Sequence, residues 1–312
     1  MRLIDAYYLI KPLIPRSLQV KVRSAMILRK RSAYANVWPI DERAARVPAG
    51  WSEWPDGKQF ALVLTHDVDT AKGQTQCEQL IELERRFDFR SSFNFVPERY
   101  EVSSALRKHL ESSGFEVGVH GLRHDGNLFG SKERFQKEAE QINRYLKEWK
   151  SVGFRSPCMY HNLEWIADLD IEYDASTFDT DPFEPQPDGV TTIFPFLVCR
   201  KSDHKEYIEL PYTLPQDFTL FILMEEKTID IWKRKLDWIA QRGGMVLVNT
   251  HPDYMSFGDR RPNLEEYESK LYEDLLAYVR TKYEGQYWHA LPRDVARFWR
   301  ETYPSAQSSA HV

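Results

Sequence analysis

Ionisable side chains stand repeatedly where an apolar segment of this 312-residue chain ends. The segment FALVLTHDVDT, residues 60–70, passes from a run typical of a buried strand into two carboxylates one residue apart. Four further predicted strands end on, or just before, a residue able to bind a metal or move a proton. The residues at these five strand ends are Asp67 with Asp69, His120 followed by His124, Arg155, Asp174 and His251. Ionisable residues at the corresponding end of five predicted strands predict one functional site.

The residue types in this set fit metal chemistry. One carboxylate and two imidazoles suit a first-row divalent ion, with the remaining coordination positions left to water and substrate. His120 and His124 are four residues apart in HGLRH, and Gly121 between them predicts a strand end followed by a turn. The residues alone therefore predict a site for a divalent cation.

Strands and helices alternate from about residue 58 to residue 300, which is typical of parallel β-α-β units in an α/β protein. The long segment 131–150 predicts an amphipathic helix. Its apolar face consists of Phe135, Ala139, Ile142, Leu146 and Trp149. About seven β-α units in about 250 residues favour a barrel over an open sheet, and barrels gather chemistry at the carboxyl ends of their strands.

Three segments interrupt this alternation. Residues 191–223 look rich in strand and are predicted to include an inserted hairpin. The segments DTDPFEPQPDG, residues 179–189, and ELPYTLPQDFTLF, residues 209–221, combine prolines, aromatic residues and acids. They are expected either to shape a substrate cleft or to be ordinary barrel loops.

The chain divides by composition into a basic extension (1–57), a main domain (58–303) and a tail expected to be disordered (304–312). The extension predicts a helix packed on the main domain with a solvated basic face. The alternative is a peripheral arm that contacts an anionic membrane surface or a partner.

Net charge and cysteine usage narrow the class of protein. The formal net charge of −5 gives no global bias toward nucleic acid, so no nucleic-acid partner is expected. Three cysteines without a Cys-x-x-Cys pair indicate a reducing compartment. Charged residues interrupt the apolar N-terminus, and no run of 18 apolar residues occurs. We therefore expect a soluble cytoplasmic protein, with peripheral membrane contact through the extension as the alternative.

Five short motifs, in order, resemble those of the polysaccharide deacetylase family, the NodB-homology domain of carbohydrate esterase family 4. They are THDVD (65–69), HGLRH (120–124), RSP (155–157), YDAST (173–177) and LVNTH (247–251). The resemblance covers roughly residues 58–300. It implies a distorted (β/α) barrel of about seven strands and a metal-dependent hydrolase that removes an N-acetyl group from a saccharide or a saccharide-linked precursor.

The resemblance also implies a role for each motif residue. Asp69, His120 and His124 become ligands of a divalent ion, most often zinc, with cobalt, nickel or manganese as alternatives. Asp67 becomes the general base, which Arg155 holds ionised and oriented. His251 becomes the acid that protonates the leaving amine, and Asp174 its supporting carboxylate.

Several departures from the family pattern keep alternatives open. The metal-binding aspartate usually follows the base directly, but Val68 stands there and Asp69 is the substitute, as in variants with an Asp-x-Asp first motif. Cys158 replaces the usual tyrosine of the third motif, and the segment ASTFDTDPF offers Asp179 and Asp181 beside Asp174. Two other functions remain possible on the same residues: opening of a cyclic amide or imide, and carbohydrate binding without catalysis.

Overall fold

The computed structural model describes residues 16–258 and 260–303. The helices of this part of the chain are α1 Arg16–Arg31, α2 Ala71–Arg86, α3 Ser104–Ser112, α4 Lys132–Trp149, α5 Leu163–Ile166, α6 Asp230–Arg242, α7 Lys270–Tyr283 and α8 Pro292–Thr302. Its strands are β1 Phe60–Val68, β2 Ser92–Phe95, β3 Glu116–His120, β4 Gly153–Arg155, β5 Tyr173–Asp174, β6 Phe196–Cys199, β7 Glu206–Glu209, β8 Met245–Thr250, β9 Met255–Ser256, β10 Tyr267–Glu268 and β11 Tyr287–His289. A π-helical turn spans Phe218–Leu223.

Seven parallel strands form the body of the sheet, in the spatial order β8-β1-β2-β3-β4-β5-β7. β11 pairs parallel with the first residues of β1, on the same edge of β1 that pairs with β2 further along. β6 pairs antiparallel with β7 and forms the predicted hairpin. After β7 the chain passes alongside β8. The backbone N–H groups of Thr213 and Leu214 both donate hydrogen bonds to the carbonyl of Leu247 in β8. The predicted distorted (β/α) barrel is confirmed.

Strand register places the polar residues side by side at one end of this barrel. Asp67 of β1 lies opposite Asn94 of β2, and His120 of β3 lies opposite Arg155 of β4. All nine residues of β1 are buried, including the polar ones at its carboxyl end. Buried polar groups need hydrogen-bond partners within the protein, so this register determines which side chains can be those partners.

The predicted amphipathic helix is confirmed as α4. Its five apolar residues, Phe135, Ala139, Ile142, Leu146 and Trp149, are all buried against the barrel. Burial of each large side chain contributes about 1.5–3 kcal/mol to stability. The side-chain hydroxyl of Ser131 accepts a hydrogen bond from the backbone N–H of Arg134 and so starts the helix.

An aromatic cluster covers the amino-terminal end of β1 and β8. Trp51 stacks on Trp299 of α8 with 5.1 Å between ring centroids, and Trp299 stacks on Tyr303 at 4.6 Å. The indole N–H of Trp54 donates to the carbonyl of Gly243, directly before β8. The segment before β1 is thereby attached to the last helix of the chain.

Helix α1 lies against the π-helical turn 218–223 at the opposite end. Val20 and Ile27 are buried there, and Arg31 forms an ion pair with Glu226. The division of the chain at residue 57 and the membrane contact of the extension stay predictions, and the predicted tail 304–312 lies outside the described residues. No helix in the described ranges combines the length and apolar composition that crossing a membrane requires.

A buried carboxyl group on β3 makes the stability of the fold depend on pH. Glu116 accepts hydrogen bonds from the hydroxyl of Tyr173 and from the backbone N–H of Arg293, at the start of α8. Burial raises the pKa of Glu116 from its ordinary 4.5 to about 7, although Tyr173 and Arg293 favour the charged form. The folded protein therefore holds this proton more tightly than the unfolded chain.

Because of that difference, the wild type loses stability as pH rises from about 4.5 to 7 and stays lower above it. Glu116→Gln removes the titration, so its stability relative to the wild type rises by up to about 3 kcal/mol between pH 4.5 and 8. Urea denaturation of both proteins at several pH values measures this, with the exposed Glu111→Gln as control. A constant difference between wild type and variant across that range contradicts the prediction.

Candidate metal centre and active site

Three predicted ligands converge at the carboxyl end of β1 and β3. The Oδ1 atom of Asp69 lies 3.4 Å from Nε2 of His120 and 3.1 Å from Nε2 of His124. One ligand atom from each of the three residues lies within 4.8 Å of the other two. The sequence-predicted group is thus brought together by the fold.

Local structure aims both imidazoles at Asp69. Nδ1 of His120 lies 3.0 Å from the backbone carbonyl of Arg155, which makes Nδ1 the protonated nitrogen and leaves the lone pair on Nε2, the nitrogen that faces Asp69. The turn after His120 passes tightly over the third motif. A Cβ at Gly121, whose φ is +61°, would lie 2.5 Å from the ring of Pro157, so glycine is required there.

The chemistry of this donor set fits a divalent cation. Oδ1 of Asp69 is buried and receives no hydrogen bond from any described residue, although buried oxygens are nearly always paired. Burial raises the pKa of Asp69, but the electrostatic effect of His124 and the contacts with both imidazoles lower it well below its ordinary value. An ionised, orphaned carboxylate oxygen facing two imidazole nitrogens is the pattern expected of a zinc-type site.

Asp67 lies beside these ligands and is held by neutral and charged donors. Its Oδ1 accepts from Nδ2 of Asn94 at 2.9 Å, and its Oδ2 accepts from Nδ2 of Asn249 at 2.9 Å. Burial opposes ionisation, yet the charges of His120, Arg155 and His251 lower the pKa of Asp67 to about 2. Asp67 is therefore a carboxylate at neutral pH.

Arg155 is fully enclosed beneath Asp67. Its Nη1 donates to Oδ1 of Asn249 at 2.6 Å and approaches Oδ1 of Asp67 at 3.3 Å, while its Nε donates to the carbonyl of Ala175. The expected contact with Asp67 is present. Arg155 also orients Asn249, which in turn donates to the other oxygen of Asp67.

His251 faces Asp67 from β8 and has a carboxylate behind it. Its Nε2 lies 4.0 Å from Oδ2 of Asp67, and its Nδ1 lies 2.7 Å from Oδ1 of Asp217. Asp217 also accepts the backbone N–H of His251 and the hydroxyl of Tyr267. Burial disfavours the charged imidazole, but Asp217, with smaller effects from Asp69 and Asp67, raises the pKa of His251 to about 10.

The expectation that Asp174 supports His251 is wrong in this structure. Asp174 accepts a hydrogen bond from Ser176 and lies in register with Glu209 on the neighbouring strand. Burial raises the pKa of both carboxyl groups, and their proximity adds to the rise at Glu209. Both acids lie inside the wall of the barrel, whereas Asp217 occupies the position behind His251.

Asp179 and Asp181, which the sequence offered beside Asp174, and two other histidines near the site have structural contacts. Asp179 pairs with buried Lys235 at 2.8 Å, and Asp181 accepts from the hydroxyl of Tyr212. His66 is fully buried between Thr250 and Glu84. His161 contacts the carbonyl of Met159.

Sequence reasoning missed three residues of the site: Asn94, Asn249 and Asp217. Asn94 stands inside β2 and Asn249 inside β8, and a polar residue inside a buried strand is a signal that could have found them. Asp217 follows no strand. It ends a proline-rich loop and begins the π-helical turn, where its side chain accepts from the N–H of Phe218.

The site opens into a cavity of about 940 Å³. Aromatic residues Tyr160, Phe218 and Tyr254 line it beside the ligands, together with residues of α1 and of the loops 179–189 and 209–221. Of the two interpretations of these loops, a substrate cleft is therefore the one that the cavity supports.

No protein-family model and no curated protein sequence matches this chain. Solved structures do resemble it. A protein from Mycobacterium smegmatis described as a polysaccharide deacetylase has a TM-score of 0.66 at 17% identity, with 85% of this chain and 99% of that chain covered. The corresponding values are 0.65, 14%, 83% and 95% for PuuE allantoinase.

A third structure, described as a polysaccharide deacetylase from Pseudomonas aeruginosa PAO1, has a TM-score of 0.62 at 15% identity and covers 80% of this chain and 94% of that one. Identities this low carry information about the fold. The chain has the NodB-type distorted (β/α) barrel that these deacetylases share.

Proposed function

We propose that this protein is a metal-dependent hydrolase that removes the N-acetyl group from an amino sugar or a saccharide-linked precursor. The observation that carries the proposal is the grouping of Asp69, His120 and His124 beside an ionised Asp67 and a protonated His251. Two structures with the same fold are described as polysaccharide deacetylases. Cytoplasmic location and peripheral membrane contact accompany the proposal as predictions.

Asp69, His120 and His124 would hold the cation. Two nitrogens and one oxygen are a common zinc donor set, and cobalt, nickel or manganese can take the same ligands. When bound, a divalent cation supplies Lewis acidity, which favours ionisation of water and polarises a carbonyl group.

Asp67 would act as the general base. Its low pKa keeps it ionised, and Asn94, Asn249 and Arg155 fix the orientation of its carboxylate. Its Oδ2 is the oxygen that faces His120 and His251, at 3.9 and 4.0 Å from their Nε2 atoms. A water molecule attacking an amide between these groups can give its proton to that oxygen.

His251 would act as the general acid. Asp217 keeps the imidazole protonated and fixes Nδ1–H toward itself, so the Nε2–H proton is the one available for transfer. Amide cleavage requires protonation of the departing nitrogen, and a buried imidazolium beside the base is suited to that step.

Opening of a cyclic amide is the second candidate, favoured by the likeness to PuuE allantoinase. The size and aromatic lining of the cavity support a saccharide instead, because a small cyclic amide leaves most of about 940 Å³ unfilled. A binding module without catalysis is the third candidate. The presence of a complete base, acid and ligand set argues against it.

Metal content provides the first test. We expect about one divalent ion per chain in the wild type and a small fraction of that in His120→Ala, because two remaining ligands bind weakly. Elemental mass spectrometry after dialysis against zinc-containing buffer measures this. His109→Ala, a histidine of α3 outside the site, is the control and should match the wild type. Absence of metal from the wild type after incubation with zinc or cobalt would move the proposal to a binding module.

Asp67→Asn tests the base. We expect the rate of acetate release to fall by about 10²- to 10⁴-fold with metal content unchanged, since the variant keeps the ligands and loses the proton acceptor. Acetate release and elemental analysis of the same preparation measure both quantities. Full activity in this variant would remove the base assignment, and ring opening of a cyclic imide without acetate release from any amino sugar would favour the second candidate.

Asp217→Asn and Asp174→Asn form a matched pair that tests the acid. A protonated His251 is active, so activity is lost as pH rises through its pKa. Removing the Asp217 charge lowers that pKa and moves the alkaline limb of the pH–rate profile toward acid by about one pH unit or more. Asp174→Asn should leave the limb in place, because Asp174 does not contact His251. The opposite result for the two variants would restore Asp174 as the supporting residue.

A further inference from the structure

Helix α1 contributes two side chains to the wall of the cavity. Gln19 and Arg23 both line it, together with Phe218 and Thr219 of the π-helical turn. Residues four apart share one face of a helix, so both side chains come from the face that packs on the barrel. Lys21 and Arg29 of the same helix are exposed instead. The basic extension thus reaches the candidate site through Arg23.

Arg23 is held by an aromatic ring rather than by an acid. Its guanidinium carbon lies 5.4 Å from the ring centroid of Phe218. Among the residues that the structure describes, no carboxylate lies within 4.0 Å of the Arg23 nitrogens. A guanidinium stacked on a ring keeps its N–H donors at its edge, and that arrangement suits two-point contact with a phosphate or carboxylate.

The position of Arg23 relative to the proposed acid is defined by a chain of ring contacts. The rings of His251 and Tyr254 are 5.1 Å apart, those of Tyr254 and Phe218 are 4.9 Å apart, and Arg23 lies over Phe218. Tyr254 and Phe218 are half-buried residues of the cavity wall. A sugar ring placed over this aromatic pair has the proposed acid at one side and Arg23 at the other.

We propose that Arg23, together with Gln19, binds an anionic group that the saccharide substrate carries about one sugar ring away from its amide. This inference rests on the proposed function and names its substrate class: an N-acetylated saccharide with a phosphate or a carboxylate substituent. It also gives the N-terminal helix a role in specificity that the barrel motifs do not provide.

Glu184 lines the same cavity, and its Oε1 accepts hydrogen bonds from the hydroxyl of Tyr212 and from Nε2 of Gln216. Burial raises the pKa of Glu184, although the hydrogen bond from Tyr212 and the charge of Arg23 oppose that rise. Arg23 therefore supplies positive charge to this part of the wall.

The test compares three probes in the metal-loaded protein: N-acetylglucosamine, N-acetylglucosamine 1-phosphate and N-acetylmuramic acid. The second carries a phosphate and the third a carboxylate, so the two arms distinguish the sources of negative charge. We expect kcat/KM to be at least about tenfold higher for one charged probe than for the neutral one. Arg23→Ala should abolish that preference through KM, and Arg29→Ala, the same change on the exposed face, should keep it.

Calorimetry with the Asp67→Asn protein measures binding of the same probes without turnover, and Arg23→Lys guards against a folding defect by keeping the charge. Partial retention of the preference in Arg23→Lys supports the proposal. An equal preference in wild type and Arg23→Ala, or equal binding of neutral and charged probes, overturns it. If a charged probe binds more tightly than the neutral one, and this difference depends on Arg23, the anion subsite is supported. If no probe releases acetate in the same experiments, the deacetylase proposal is contradicted while the subsite stands.

Discussion

The burial of two ionised carboxylates at the end of one strand is the constraint on which the rest of the site depends. Asp67 and Asp69 are almost fully enclosed, and both have lowered pKa values although burial opposes their charge. An uncompensated buried charge costs several kcal/mol, so neighbouring elements must supply donors or positive charge. β2 and β8 supply amides, β4 an arginine, and β3 with its following turn two imidazoles.

The two acids receive different numbers of hydrogen-bond donors from the protein, and this difference suits them to different chemistry. The oxygens of Asp67 receive two amide N–H groups and the approach of Arg155, so its charge is satisfied inside the protein. Oδ1 of Asp69 faces imidazole nitrogens and receives no hydrogen bond from any residue that the structure describes. A cation completes the second arrangement and is not needed by the first, which is why one acid suits a proton and the other a metal.

The fold and most positions of this site could be predicted from the sequence, because they depend on local sequence patterns. Apolar runs identify the strands, and each strand end fixes where its last polar residue lies, which places Asp67, His120, Arg155 and His251 correctly. Asp217 could not be predicted in this way, because it comes after a loop and a turn whose path is set by tertiary packing. Asp174 shows the converse error. It ends a strand, but Ser176 donates to it and its neighbour in register is Glu209, so it lies beside these residues and not behind His251.

A cleft shaped by loops 179–189 and 209–221 was one of two interpretations of the sequence, but the arrangement of the residues in the cavity wall could not be predicted, for the same reason. Gln19, Glu184 and Phe218 come from a helix, a loop and a π-helical turn that are far apart in the chain, and no spacing connects them. Their arrangement nonetheless complements the floor of the site. The floor brings together several carboxylates, among them Asp67, Asp69 and Asp217, with the cationic groups of Arg155 and His251, so a divalent ion would offset negative charge there. With that charge offset, the guanidinium of Arg23 on the wall favours a substrate that carries negative charge.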